Sequence, residues 1–282
     1  MEFYKYQGAG NDFILVDNRD EQILEELKAG LAKKLCNRRF GIGADGLIFV
    51  ENSSNGEAFM HIFNPDGSEP HMCGNGIRCI AKYLYDFGAR NDELSIETLA
   101  GVKNVRISEE GKTTYVRVNM GRPLFERKDI PATGKGRILK EKLKVGSKEL
   151  EIYAVSTGVP HVVIFVDDIE KTDVIGIGRA VRNNPLFPEG TNVNFLEIVC
   201  TNLFKIRTYE RGVEGETPAC GTGIAASAII SVVAWEADPD EPIEIMAEGG
   251  TIFVEVEMQG IEIETAYIKG PAKLVFKGEI DV

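Results

Sequence analysis

Apolar and polar positions change period several times along this chain of 282 residues, and each change predicts an element. Short apolar runs predict strands at 3–6 and 13–17, separated by the turn Gly8-Ala9-Gly10-Asn11. From 20 to 36 the period lengthens: Ile23, Leu24, Leu27, Leu31 and Leu35 fall on one face of an amphipathic helix, with Asp20 as its N-cap. A glycine-containing loop over 37–46 leads to strands at 47–50 and 59–63, read as a hairpin across 52–56. Asn64-Pro65-Asp66-Gly67-Ser68 is a strong turn signal, and a helix over 75–87 follows and stops at Gly88.

Residues 94–120 are rich in β-formers, and Gly121-Arg122-Pro123 is the first break that reads as a boundary. Residues 124–150 are polar and basic and give no order of strands. Strands at 151–155 and 161–166 flank 156–160, and a helix over 173–183 ends before Pro185. Strands at 193–199 and 203–209 precede a polar loop over 210–218. The next helix, 222–236, is apolar nearly all round and is therefore expected to be buried, while 243–276 alternates like antiparallel strands.

One pattern occurs twice. Cys73-Gly74-Asn75-Gly76-Ile77 and Cys220-Gly221-Thr222-Gly223-Ile224 both open a helix with a thiol at its first turn. Residues 8–17 also align with 158–167, and the two offsets are nearly equal. The chain thus reads as a mixed α/β (α+β) protein of two pseudo-symmetric halves, each a set of mostly antiparallel strands around one central helix. A pseudo-twofold arrangement would aim both thiols at one cleft.

A thiol at a helix N-terminus faces unpaired N–H groups and roughly half a positive charge, which favour thiolate and attract a carboxylate. Bringing a cysteine from its usual ~8.5 to ~7 takes about 2 kcal/mol, near the upper end of what a helix end supplies, so a second helper is expected. Symmetric packing is the plain alternative for the pair, and the polar loops before each cysteine favour the cleft. Cys36 and Cys79 read as core, and Cys200 is undetermined. Two opposed thiols suit inversion of a stereocentre, in which a base removes a proton from one face and an acid supplies one to the other.

Composition narrows the partners. A formal charge of -12 without a long basic block argues against nucleic acid and anionic membranes, leaving a small molecule. The longest apolar run, 224–235, is too short for a membrane span, and residues 1–6 lack the pattern of a secretory signal, so a cytoplasmic protein with reduced thiols is expected. Five scattered cysteines and three histidines form neither Cys-x-x-Cys nor His-Glu-x-x-His, so no metal is expected. Residues 41–46 match G-x-G-x-x-G, but a helix precedes them and a strand follows, the wrong context for a dinucleotide. Glu210-Arg211 is either an exposed pair or a clamp for a zwitterion, and His161 either a polar residue at a strand start or the neighbour that tunes a thiol.

Several motifs, in order, resemble diaminopimelate epimerase, of the PLP-independent amino acid racemase and epimerase family: residues 8–13, 40–45, 63–68, 73–76, 210–212 and 219–223. The resemblance covers nearly the whole chain. It implies a closed cleft between an N-terminal half (1–117) carrying Cys73 and a C-terminal half (118–268) carrying Cys220, with a terminal strand (269–282) returning to the first. It also implies interconversion of LL- and meso-2,6-diaminopimelate without any cofactor, with Cys73 and Cys220 as the acid and base. Asn11, Asn64, Asn192, Glu210 and Arg211 would hold the distal end of the substrate, and Gly74, Asn75, Gly221 and Thr222 its reacting carboxylate. His161 and Glu210 would tune the thiols. Val159 and Gly46 depart from side chains that other members carry, and the loop after Arg211 is one residue longer than the shorter family form. A homodimer is left open. The rivals are a related racemase of proline or histidine type, a non-catalytic amino-acid-binding protein, and a thiol redox or metal protein.

Overall fold

In a computed structural model that describes residues 1–88, 90–146 and 148–281, the chain divides into two units. Unit 1 is Met1–Asn119 with Lys269–Val282, and unit 2 is Met120–Ile268.

Unit 1 opens with β1 (Glu2–Gly8) and β2 (Asn11–Asp17), an antiparallel pair closed at Ala9 and Gly10, both at positive φ. Then come α1 (Glu25–Leu35), β3 (Gly46–Glu51), β4 (Ala58–Phe63), α2 (Gly74–Phe87), β5 (Glu93–Thr98), β6 (Gly101–Glu110) and β7 (Thr113–Gly121). β2 and β3 pair parallel, β3 and β4 antiparallel, β4 and β5 parallel, and β5 and β6 antiparallel. Ile14, Val16, Leu47, Phe49 and Phe63 meet Ala32 and Leu35 of α1 in one core. The alternate residues of these strands point to the other face. There α2 packs, with Gly76 close to the Ile48 and Ile62 side chains.

Unit 2 repeats the order of pairings. A 3-10 turn at Arg127–Asp129 precedes β8 (Glu141–Val145), β9 (Lys148–Ser156), β10 (Pro160–Phe165), α3 (Val174–Arg182), β11 (Asn192–Cys200) and β12 (Leu203–Glu210). After β13 (Gly215–Thr217) come α4 (Gly221–Val233), β14 (Ile243–Ala247), β15 (Gly250–Gln259) and β16 (Glu262–Pro271). β9 and β10 pair antiparallel, β10 and β11 parallel, β11 and β12 antiparallel, β12 and β14 parallel, and β14 and β15 antiparallel. α3 closes a core containing Ile152, Val162, Ile164, Val181, Phe195 and Tyr209, and α4 packs against β9, β10, β11, β14 and β15. The last strand, β17 (Lys273–Glu279), belongs to unit 1, where it pairs antiparallel with β1.

The main correction concerns the first helix. Asp20 is not its cap, because the Asn18 side chain bonds both N–H and C=O of Ile23 and holds the preceding residues as a loop. α1 starts at Glu25 with Leu24 in the N-cap position, Leu24 and Leu27 are exposed, and Lys28 is buried in their place. The second buried helix ends at Val233 rather than at 236, since Trp235 takes a left-handed φ of 64° and the Glu236 N–H bonds Ser231 C=O, a Schellman close. The polar loop over 210–218 contains β13, which pairs with β12. Among the described residues, no helix is long and apolar enough to cross a membrane.

Candidate active site

Both cysteines of the repeated motif occupy the N-cap of a helix. Cys73 caps α2 with φ -138° and ψ 118°, and its Sγ accepts the Gly76 N–H at 3.4 Å. Cys220 caps α4 with φ -109° and ψ 107°, and its Sγ lies 3.4 Å from Thr222 Oγ1. Extended backbone at the cap and helical backbone after it turn the N–H groups of the first turn toward the thiol, the arrangement that favours an anion. Cys220 is buried and Cys73 partly so.

In unit 1 the structure joins Asn11 to the α2 terminus. Asn11 accepts from Asn75 Nδ2 at 3.2 Å and donates to Asp45 at 2.7 Å. Asp45 belongs to a charged cluster in which Arg38 bridges Asp12 and Asp45, and Lys5 reaches Asp12 at 2.7 Å. Asn64 stands apart from this chain, in the turn after β4, where its Nδ2 donates to Ser68 Oγ at 2.9 Å. The glycine pattern over 41–46 has a packing cause, because a Cβ at Gly41 would fall 2.4 Å from the Lys34 carbonyl. Gly46 is likewise enclosed, with the Phe13 ring 3.2 Å from where a Cβ would stand.

In unit 2 Asn192 Oδ1 receives the Arg211 N–H at 2.8 Å, and the Arg211 guanidinium donates to the Glu189 carbonyl at 3.0 Å. Glu210 accepts from Thr217 Oγ1 at 2.9 Å, and burial pushes its carboxyl up from the usual range against that bond. His161 is fully buried at the start of β10; burial, with the Arg211 charge, pushes it down to about 3, so it is neutral. Its Nδ1 accepts from Asn194 Nδ2 at 3.1 Å, which leaves the proton on Nε2, and Nε2 has no hydrogen-bond partner among the described residues. Asn194 is fixed in turn by Thr208 Oγ1 and the Val162 carbonyl. A Cβ at Gly223 would fall 2.4 Å from Asn194 Oδ1, so the second glycine of the motif makes room for this amide. Thr222 is tied through its carbonyl to Thr157 Oγ1 at 3.1 Å.

Sequence reasoning missed Arg78, Asp45, Asn194 and Thr217, which hold the expected residues in place. Arg78 carried a signal, a cation inside an otherwise buried helical stretch. Cys36 and Cys79 are core, both thiols pushed up to about 12 by burial. Glu25, Glu51 and His61 converge as a metal site would, but Lys28 Nζ sits among them, 2.6 Å from both carboxylates, and supplies the positive charge itself.

The diaminopimelate epimerase family model matches residues 3–126 and 153–275. A diaminopimelate epimerase of Methanocella arvoryzae is 44% identical over 100% of this chain and 97% of its own length. Those of Pelotomaculum thermopropionicum and Archaeoglobus fulgidus are 44% and 40% identical over 99% of this chain and 98% and 95% of their own. Among solved structures, a phenazine biosynthesis protein of the PhzF family from Bacillus anthracis superposes with TM-score 0.74 at 19% identity, over 100% of this chain and 99% of its own. A probable proline racemase from Agrobacterium radiobacter gives 0.71 at 14%, over 100% and 93%, so the fold extends beyond close relatives. With full-length identity above 40% and both cysteine motifs in matching positions at helix starts, the chain belongs to the diaminopimelate epimerase family.

Proposed function

We propose that the protein is an isomerase that interconverts LL- and meso-2,6-diaminopimelate by proton transfer at the α-carbon, as a step of lysine biosynthesis. The observation that carries the reading is the duplicated cap: one cysteine at the start of one central helix in each unit. In the forward direction one thiolate removes the α-proton and the other thiol supplies a proton to the opposite face of the carbon; the reverse reaction exchanges their roles. The carbanion formed between these steps is stabilised by delocalisation into the neighbouring carboxylate. Backbone N–H groups of Gly74, Asn75, Gly221 and Thr222 are the donors for that charge.

Asn11, Asn64, Asn192, Glu210 and Arg211 bind the distal amino acid end. Support for Glu210 and Arg211 comes from how they are held: Asn192 pins the Arg211 backbone and the Thr217 hydroxyl orients the Glu210 carboxyl, a carboxyl and a guanidinium matched to an ammonium and a carboxylate. A neutral His161 and a Glu210 with a raised pKa are suited to tuning a thiol through hydrogen bonding rather than through charge.

The test is proton NMR of LL-diaminopimelate with reduced, PLP-free protein in deuterium oxide. Loss of the α-proton signal together with the meso isomer supports the reading; folded protein with reduced thiols and no exchange overturns it.

A further inference from the structure

Arg78 lies on α2, one turn beyond the helix start, and is fully buried. Its Nη1 donates to the Gly74 carbonyl at 3.0 Å, its Nη2 to Asn75 Oδ1 at 2.8 Å, and its Nε to the Pro271 carbonyl at 3.3 Å. All three acceptors are neutral, and among the described residues none of its partners is a carboxylate. Gly8 leaves room for the guanidinium: a Cβ there would stand 3.2 Å from Nη2 and 3.3 Å from the Pro271 carbonyl. An arginine does not shed its proton, and a buried charge without a counter-ion is costly, so this site holds a full positive charge that no carboxylate among the described residues offsets by a direct bond.

The acidic groups nearby do not fill that place. Burial pushes Cys79 up to about 12, which keeps it a neutral thiol. Tyr6 on β1 is raised by burial and bonded to Asp86, and Asp86 is paired with Lys82. Asp12 on β2 is committed to Lys5 and Arg38. Burial pushes the Arg78 guanidinium down, and the two groups that push it back are Cys79 and then Cys73. With Cys79 neutral, Cys73 remains.

We propose that Arg78 is a positioning residue of the reaction: its buried charge lies behind the first turn of α2 so that the Cys73 thiolate and the substrate carboxylate serve as its counter-anions. The inference rests on the reading of Cys73 as an acid–base thiol. A helix end supplies about half a charge, and a whole charge fixed in a low-dielectric interior adds the second helper that the thiol needs. The same fork grips Gly74 and Asn75, whose N–H groups are the proposed carboxylate donors, so charge and geometry are set by one side chain.

The test is the pH profile of Cys73 alkylation by iodoacetamide, read at that residue by peptide mass spectrometry, in the parent, Arg78→Met and Arg78→Lys. In folded Arg78→Met the alkylation midpoint moves up by about one pH unit, a tenfold slower reaction below both midpoints. In Arg78→Lys, which keeps the charge and loses the fork, the midpoint stays within about 0.3 unit of the parent. An unchanged midpoint in Arg78→Met overturns the proposal. If Arg78→Met does not fold, Arg78→Lys decides alone: an upward shift of about one unit with the charge retained overturns it. Since the readout is alkylation rather than turnover, it separates this inference from the acid–base reading, which fails instead if Cys73→Ala turns substrate over.

Discussion

The helices α2 and α4 begin with the same four-residue pattern and supply the same backbone cradle, yet their surroundings differ. α2 carries Arg78, buried and, among the described residues, without a carboxylate partner, and its Cys73 accepts a backbone N–H. α4 contains no charged residue; Cys220 lies beside the Thr222 hydroxyl, and its unit holds a neutral His161 and a Glu210 with a raised pKa. Under the proposed mechanism one unit stabilises its thiolate with a fixed cation on its helix, and the other with neutral donors beside the thiol. A reaction that runs in both directions needs two thiols of comparable acidity, and the comparison indicates two routes to that end from one duplicated motif.

The largest expected effect removes either thiol. Cys73→Ala and Cys220→Ala should each lower turnover by about 10³-fold or more, since each deletes the base for one direction and the acid for the other. Epimerisation assays of both variants check this; full activity in either one breaks the symmetry of roles.

Gly223→Ala probes the unit 2 side. The added Cβ would collide with Asn194, the residue that orients His161, and should destabilise the protein by about 1–3 kcal/mol, read by denaturant unfolding. Parent-like stability and activity would mean that Asn194 is free to move.

The two buried histidines should respond oppositely to pH. Burial, and then the Lys28 charge, oppose the His61 imidazolium, but Glu51 at 2.8 Å together with Glu25 raises the folded pKa. The stability His61 contributes is therefore full below its unfolded pKa near ~6.5 and lost as pH rises through the higher folded value. His161, held down to about 3, contributes stability that is full above ~6.5 and lost as pH falls. Thermal melts of His61→Gln and His161→Gln against the parent from pH 5 to 8.5 should show difference curves of opposite slope, and equal slopes would remove this contrast.

The smallest effect compares α1 with α3, which follow equivalent strands. Asp173 caps α3 by accepting the Gly176 N–H at 2.9 Å, whereas Leu24 offers α1 no side-chain acceptor. Asp173→Ala should cost about 1 kcal/mol, and Leu24→Asp should gain roughly 0.5–1 kcal/mol, by chemical denaturation.

Local chemistry made much of this legible from sequence. The cysteine motifs, the turn at 64–68 and the cap at Gly88 each have a short-range cause, and each lies where its residues predict. The start of α1 was not legible because it depends on Asn18 reaching Ile23, and a leucine pattern misreads a face on which Lys28 is buried among Glu25, Glu51 and His61. The supporting residues of the site were hidden for a similar reason. Asp45 and Asn194 act through contacts with residues distant in the chain, and no local period marks such partners. Arg78 reaches Gly74 and Asn75 at helical spacing, but its bond to the Pro271 carbonyl is likewise distant in the chain.

The central claim is that two separate thiols act on one carbon, and low-conversion isotope incorporation tests it most directly. With LL-diaminopimelate in deuterium oxide, the proton removed stays on one thiol while the other delivers a deuteron. Early meso product should then carry deuterium at the inverted carbon while recovered LL substrate keeps its protons. Deuterium in recovered LL substrate at the same fraction as in product would mean that a single base, having exchanged its proton for a solvent deuteron, delivers to both faces, and would contradict the account.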